Sequence, residues 1–259
     1  MNRDSLRQII VVLSVIATIT INVLANALPF NGISTGEISD QFKVYFVPAG
    51  YVFAIWGLIY IGMIAFAVYQ ALPSQRENPG LRRVGYWFAL SGVANSAWLF
   101  FWHYQIFALT IVLMLVLLAS LLVIYLQLEI GKRPVSVAEK WFIHLPISTY
   151  LGWISVATIA NASDVLYYFG WNGWGLAPET WTVVMLAAAL TLGLTMIFTR
   201  GEIAYPGVLI WAIIGIALKQ VAAPLVASTA WVVVGLLVLG LLGKAVSLLP
   251  GLVPARAGK

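Results

Sequence analysis

The stretch Tyr150-Leu151-Gly152-Trp153-Ile154-Ser155-Val156-Ala157-Thr158-Ile159-Ala160-Asn161 carries the clearest chemical signal in the chain. Trp153, Ala157 and Asn161 are spaced i, i+4, i+8, so on a helix they share one face. An amide is costly against lipid, so Asn161 is expected to face protein or ligand. The alanine leaves room, and the indole gives a flat wall with a single N–H donor. This combination suits the wall of a site for a planar apolar ligand. Two further stripes have the same character: Asn95, Trp98 and Trp102, and Phe53, Trp56 and Tyr60, the latter beside Gly57 and Gly62, which are expected to let helices approach closely. Spacing alone leaves open whether these rings pack helices or line a pocket. Trp87, Trp141, Trp171, Trp174 and Trp181 fall at segment ends or in a loop, where an interfacial aromatic belt is expected.

Other chemistry is scarce. The absence of cysteine excludes disulfides, thiolate metal sites and cysteine nucleophiles. His103 and His144 are expected on opposite sides of a membrane and so cannot share a metal. Each is read as an interfacial ring rather than an axial haem ligand. Inside the apolar segments ionisable groups are nearly lacking, which argues against a proton-coupled pump. Lys219 is the exception and is read as a lysine snorkelling to the interface rather than a gate. No HExxH, GxSxG, Walker or Rossmann pattern occurs. No enzyme activity and no required cofactor are therefore expected.

The elements that position these residues follow from composition. Of the 259 residues, 62% are hydrophobic and 9% charged, with a mean hydropathy of +0.96, against roughly 25% charged in soluble domains. The chain is thus expected to be all-α and polytopic, its surroundings a lipid bilayer. The formal charge of +5 is assigned to membrane orientation rather than nucleic-acid binding, because no basic helix or aromatic-basic platform is present. Eight apolar segments approach the length of a span: Ile9–Leu28, Pro48–Leu72, Val84–Trp102, Gln105–Leu128, Trp141–Ala160, Trp181–Phe198, Pro206–Val221 and Leu225–Leu249. With a cytoplasmic N-terminus, 12 of the 14 basic residues fall in cytoplasmic segments, all but Lys43 and Lys219. That imbalance supports the even count and cytoplasmic termini. Arg3, Arg7 and Ala25-Asn26-Ala27 would also suit a signal peptide, but cleavage would remove one helix of a bundle whose charges already fit. The loops 29–47 and 161–180 are expected to be external and to hold the acids Glu37, Asp40, Asp164 and Glu179. The polar run Asn31–Glu37 could lid a site at that face.

Three motifs carry a family resemblance. Pro48-Ala49-Gly50-Tyr51-Val52-Phe53-Ala54-Ile55-Trp56-Gly57-Leu58-Ile59-Tyr60, Asn95-Ser96-Ala97-Trp98 with Phe100-Phe101, and the 150–161 run fall in the order and on the helices seen in the TspO/MBR family of tryptophan-rich sensory and translocator proteins, which the chain resembles over roughly residues 1–170. It departs from that pattern at Tyr51 and Phe107, where tryptophan occurs in the family, and in the shortened second- and third-helix motifs. The resemblance implies a five-helix core (1–170) followed by a three-helix membrane extension (171–259). It implies an aromatic pocket for porphyrin or haem-type tetrapyrroles, with Trp56, Ala157 and Ala160 at lining positions. Some bacterial members degrade bound porphyrin in light, an activity not assigned here.

The expected function is that of a sensor or regulator in a bacterial cytoplasmic membrane. It would bind a hydrophobic small molecule through Phe53, Trp56, Tyr60, Asn95, Trp98, Trp153, Ala157, Ala160 and Asn161. The alternatives are a transporter of a hydrophobic or amphipathic solute, with the added helices completing a path, and a structural protein whose tryptophans only pack. Small-xxx-small faces are compatible with a homodimer.

Overall fold

The computed structural model describes residues 2–28 and 30–247. The end of the eighth segment at Leu249 and the basic residues Arg256 and Lys259 lie outside the described residues. Every one of the eight segments is a helix: α1 (Arg3–Ala27), α2 (Ile55–Ala71), α3 (Pro79–His103), α4 (Phe107–Gln127), α5 (Leu145–Tyr168), α6 (Pro178–Arg200), α7 (Ala204–Lys219) and α8 (Pro224–Ser247). Of the eight expected spans, six fall in helical runs long and apolar enough to cross a membrane; α3, whose first turns carry Arg82 and Arg83, is not among them, and α7 is a shorter apolar helix. Their outer faces are greasy: Leu13, Leu58, Ile61 and Leu239 are all more than half exposed. A soluble protein would not present such a surface, and the protein is an integral membrane protein.

Local chemistry sets the helix ends. Asn2 caps α1 by accepting from the Ser5 N–H at 2.8 Å. Asn78 caps α3 by accepting from Gly80 and Leu81, with Pro79 in the first turn where its missing N–H costs nothing. Gly201 closes α6 in the left-handed conformation at φ 64°, which glycine adopts without strain. Short connections then force neighbouring helices antiparallel.

Two segments differ from the sequence expectation. The second begins with a 3₁₀ turn, Gly50–Ala54, and becomes α-helical only at Ile55. The fifth runs further outward, to Tyr168, so that Asn161 and Asp164 belong to a helix and not to an external loop. At its other end, Pro146 is accommodated by a π-helical turn, Lys140–His144, as expected where a proline would otherwise clash with the preceding turn.

The fifth helix is the centre of the molecule. Its most apolar window is 72% buried, whereas the other five candidate spans are 28–39% buried. On one side lie α2 and α4; on the other, Gly152 lets α7 approach, a Cβ there meeting the Tyr205 carbonyl oxygen at 3.1 Å. Gly62 does the same for Pro146, but Gly57 faces open space and mediates no helix contact. One apolar core runs from Val11 in α1 to Leu237 in α8, across the boundary at residue 170.

Candidate functional site

The three aromatic stripes converge. Phe53, Trp56 and Tyr60 from the second segment, Asn95 and Trp98 from α3, and Trp153 and Ala157 from α5 line one cavity of about 740 Å³, within the usual ~300–1,000 Å³ of small-molecule sites. Ala160 and Asn161 lie instead in an adjoining recess of about 60 Å³, which shares Phe53, Trp98, Trp153 and Ala157 with the main cavity. The rings meet mostly edge to face: Trp153 against Phe53 at 5.7 Å and against Trp56 at 6.3 Å, with Trp56 stacked on Tyr60 at 5.6 Å. Such contacts fix ring orientation and hold flat walls in place.

The two amides act as helix locks. Asn161 donates to the Thr110 hydroxyl at 3.1 Å and accepts from the Trp98 indole at 3.4 Å, tying α5 to α4 and α3. Asn95 accepts from Asn22 of α1 at 2.7 Å. Asn22 and Asn26 both line the cavity, and sequence reasoning missed them. Their signal was two amides at i, i+4 within an otherwise apolar span. Trp153 differs from its neighbours: it is 2% exposed, and its indole N–H has no partner. It is a buried donor held against the cavity.

The loop 30–47 covers the outer mouth, with Ser34, Thr35, Gly36, Ser39 and Asp40 among the lining residues. Its short helix, Thr35–Ser39, is closed by a reciprocal capping box between Ser34 and Glu37. His103 pins this lid. Its Nδ1 faces the Phe30 carbonyl at 3.1 Å, which can only accept, so that nitrogen carries a proton; its Nε2 lies 2.9 Å from the Thr35 hydroxyl. Trp102 donates to the Thr35 carbonyl at 3.2 Å, and Ile38 is fully buried beside Trp102, Phe107 and Val165. His103 is therefore a wholly buried anchor rather than an interfacial ring. His144 is also buried, at 6% exposure, and neither histidine lines the cavity. Among the described residues no cluster of His, Asp and Glu could hold a metal ion.

The sixth and seventh helices brace the site. Trp211 of α7 donates to the Val52 carbonyl at 3.0 Å, and Ala49 donates to the Gly215 carbonyl at 3.1 Å. These bonds hold the 3₁₀ turn that carries Phe53. Lys219 pairs with Asp40 of the lid at 3.0 Å, Gln220 donates to the Tyr45 carbonyl at 3.1 Å, and the Tyr45 hydroxyl donates to Glu179 at 2.8 Å. Lys219 reaches the surface, as expected, and there contacts the lid.

Asp164 too departs from its expected place in an external loop. It is 3% exposed, lines the recess beside Asn161, and leaves its Oδ1 without a hydrogen-bond partner. The belt tryptophans are as expected at the surface for Trp141 and Trp174, 61% and 77% exposed. Trp171, Trp174 and Trp181 pack on one another with centroids 5.0–5.5 Å apart.

Comparison with known proteins agrees with this architecture. No curated protein and no solved structure matches the chain. A family model described as TSPO-like protein matches residues 8–243, about nine-tenths of the chain. The chain belongs to the TSPO-like family.

Proposed function

We propose that this membrane protein binds a planar hydrophobic ligand of the porphyrin type in the lidded aromatic cavity and acts as a sensor or regulator. The observation that carries the reading is the meeting of Phe53, Trp56, Tyr60, Trp98 and Trp153 around one cavity of about 740 Å³. A flat ligand can lie against these rings, Trp153 among them. Because neither histidine lines the cavity, free-base protoporphyrin IX is the natural first probe. The distribution of basic residues supports cytoplasmic termini, with the lid on the opposite side.

The test is equilibrium binding of protoporphyrin IX to the protein in lipid nanodiscs, compared with Ala157→Phe, which adds a ring to the lining shared by cavity and recess. Saturable binding that the substitution abolishes supports the reading; binding that survives it places the ligand elsewhere. A parallel flux assay in proteoliposomes addresses the alternative. Ligand movement that the same substitution stops would favour a transporter, and saturable binding without flux a sensor.

A further inference from the structure

A carboxyl group inside a membrane protein is expensive unless something satisfies it. Asp164 is 3% exposed, and nothing donates to its Oδ1. Its neighbours are already committed: the Asn161 amide bonds Thr110 and Trp98, and the nearby Lys219 pairs with Asp40 at 3.0 Å. Asp164 follows Trp153 by eleven positions, which is about three helical turns and roughly 16 Å along the axis, within about 20° of the same direction. It therefore extends the Trp153, Ala157, Asn161 stripe outward. Between its two ends the stripe is lowered by Ala157 and Ala160, and the recess that reaches Asp164 opens beside the aromatic walls. One end of the stripe is an unpartnered donor, the Trp153 N–H; the other is an unpartnered acceptor, the Asp164 carboxyl.

We infer that the recess is a polar subsite for the protonated nitrogen of the ligand, so that the favoured ligand class is a flat apolar cation bearing an N–H. This rests on the proposed ligand-binding role of the cavity and adds a ligand class beside the porphyrins. The aromatic rings take the flat body. The small recess, about 60 Å³, admits an amino group rather than a ring, and the carboxylate accepts a charge-assisted hydrogen bond from it. Lys219 makes its hydrogen bond to the lid carboxylate of Asp40 and none to Asp164.

Two probes of nearly the same shape test this: 9-aminoacridine, a flat cation with N–H donors, and 9-methylanthracene, its neutral counterpart. Each is titrated against protein in phosphatidylcholine nanodiscs, with empty nanodiscs subtracted. Wild type is expected to prefer the cation by about 10- to 100-fold, the worth of a hydrogen bond to a charged group. Asp164→Asn should reduce the preference to within about 3-fold, while 9-methylanthracene binds both proteins equally and reports an intact cavity. Ala160→Leu, which fills the recess and leaves the carboxyl in place, should have the same selective effect. Saturable binding of protoporphyrin IX and 9-methylanthracene with no preference for the cation, or a preference that survives both substitutions, overturns the subsite and leaves the cavity reading standing. Failure of all three probes to bind saturably overturns both.

Discussion

Gly215 tests whether the sixth and seventh helices belong to the binding site. It lies on α7, beyond the first five helices, and its carbonyl accepts from Ala49 at 3.1 Å. A Cβ at this position would sit 2.2 Å from Val52 Cγ2 and 3.1 Å from Pro48 Cβ. Non-bonded carbons rest about 3.5–4.0 Å apart, so Gly215→Ala must displace the Val52 contact by more than ~1 Å. Val52 cannot absorb this by itself. It is fully buried, and its β-branched side chain has one preferred rotamer set. The displacement must therefore pass to the 3₁₀ turn Gly50–Ala54, which carries the cavity residue Phe53. Overpacking of this kind costs about 1–3 kcal/mol. Gly207 on the same helix provides the control: a Cβ there meets nothing within 4 Å, so Gly207→Ala should be neutral or stabilise by up to ~1 kcal/mol through helix propensity. Thermal unfolding in detergent and protoporphyrin IX titration read the two consequences. Gly215→Ala should lower both the melting temperature and the affinity, and Gly207→Ala neither. If Gly215→Ala is as stable as wild type and binds equally well, the sixth and seventh helices do not brace the pocket.

Other consequences are more local. Asn22→Ala removes the 2.7 Å bond between α1 and α3; an interhelical bond of this type is worth ~0.6 kcal/mol on average and ~1.7 at most, so unfolding in detergent should show a small loss, and a loss above that range would mean the amide does more than join two helices. Ser34→Ala removes the capping hydroxyl of the lid helix, about 1 kcal/mol, and should speed hydrogen exchange at residues 35–40 while leaving α5 protected. Hydrogen bonding by the Ser34 side chain, and then by its backbone N–H, holds the Glu37 carboxyl below its usual range. A lowered folded-state value stabilises above the unfolded value of about 4.3 and loses that contribution as pH falls through the lowered one. Lid protection should therefore be flat from neutral pH down to about 5 and weaken only below it. His103→Ala removes the ring that faces both Phe30 and Thr35; it should loosen the lid more than Ser34→Ala does, as seen by limited proteolysis within residues 30–47.

Much of this site could be read from one-dimensional periodicity. The i, i+4 spacing of Trp153 and Ala157 and the Phe53, Trp56, Tyr60 and Asn95, Trp98 stripes named residues that line a single cavity. Helix faces are local, so spacing carries them. What spacing could not carry was the far partner. The i, i+8 spacing puts Asn161 on the Trp153 face, but the apolar run ends there and does not show that Thr110 and Trp98 satisfy its amide or that the helix continues to Tyr168. Asp164 was counted among external acids for the same reason. Lys219 meets Asp40 across 179 positions, and Trp211 meets Val52 across 159; no local pattern encodes such contacts. The glycines divide similarly. Gly62 meets Pro146 while Gly57 faces open space, a difference set by where the neighbouring helix crosses.

The most direct measurement is tryptophan fluorescence quenching of the purified protein, titrated with protoporphyrin IX, for wild type beside Trp56→Phe, Trp153→Phe and Trp174→Phe. Trp56 and Trp153 line the cavity, whereas Trp174 is 77% exposed in the turn between α5 and α6. Phenylalanine keeps an aromatic wall and removes the indole N–H. The account predicts saturable one-site quenching that weakens with the first two substitutions, most with Trp153→Phe, and is unchanged by the third. Quenching that rises linearly, or that all three substitutions alter equally, would show porphyrin dissolving in the micelle and would contradict a binding site in the cavity.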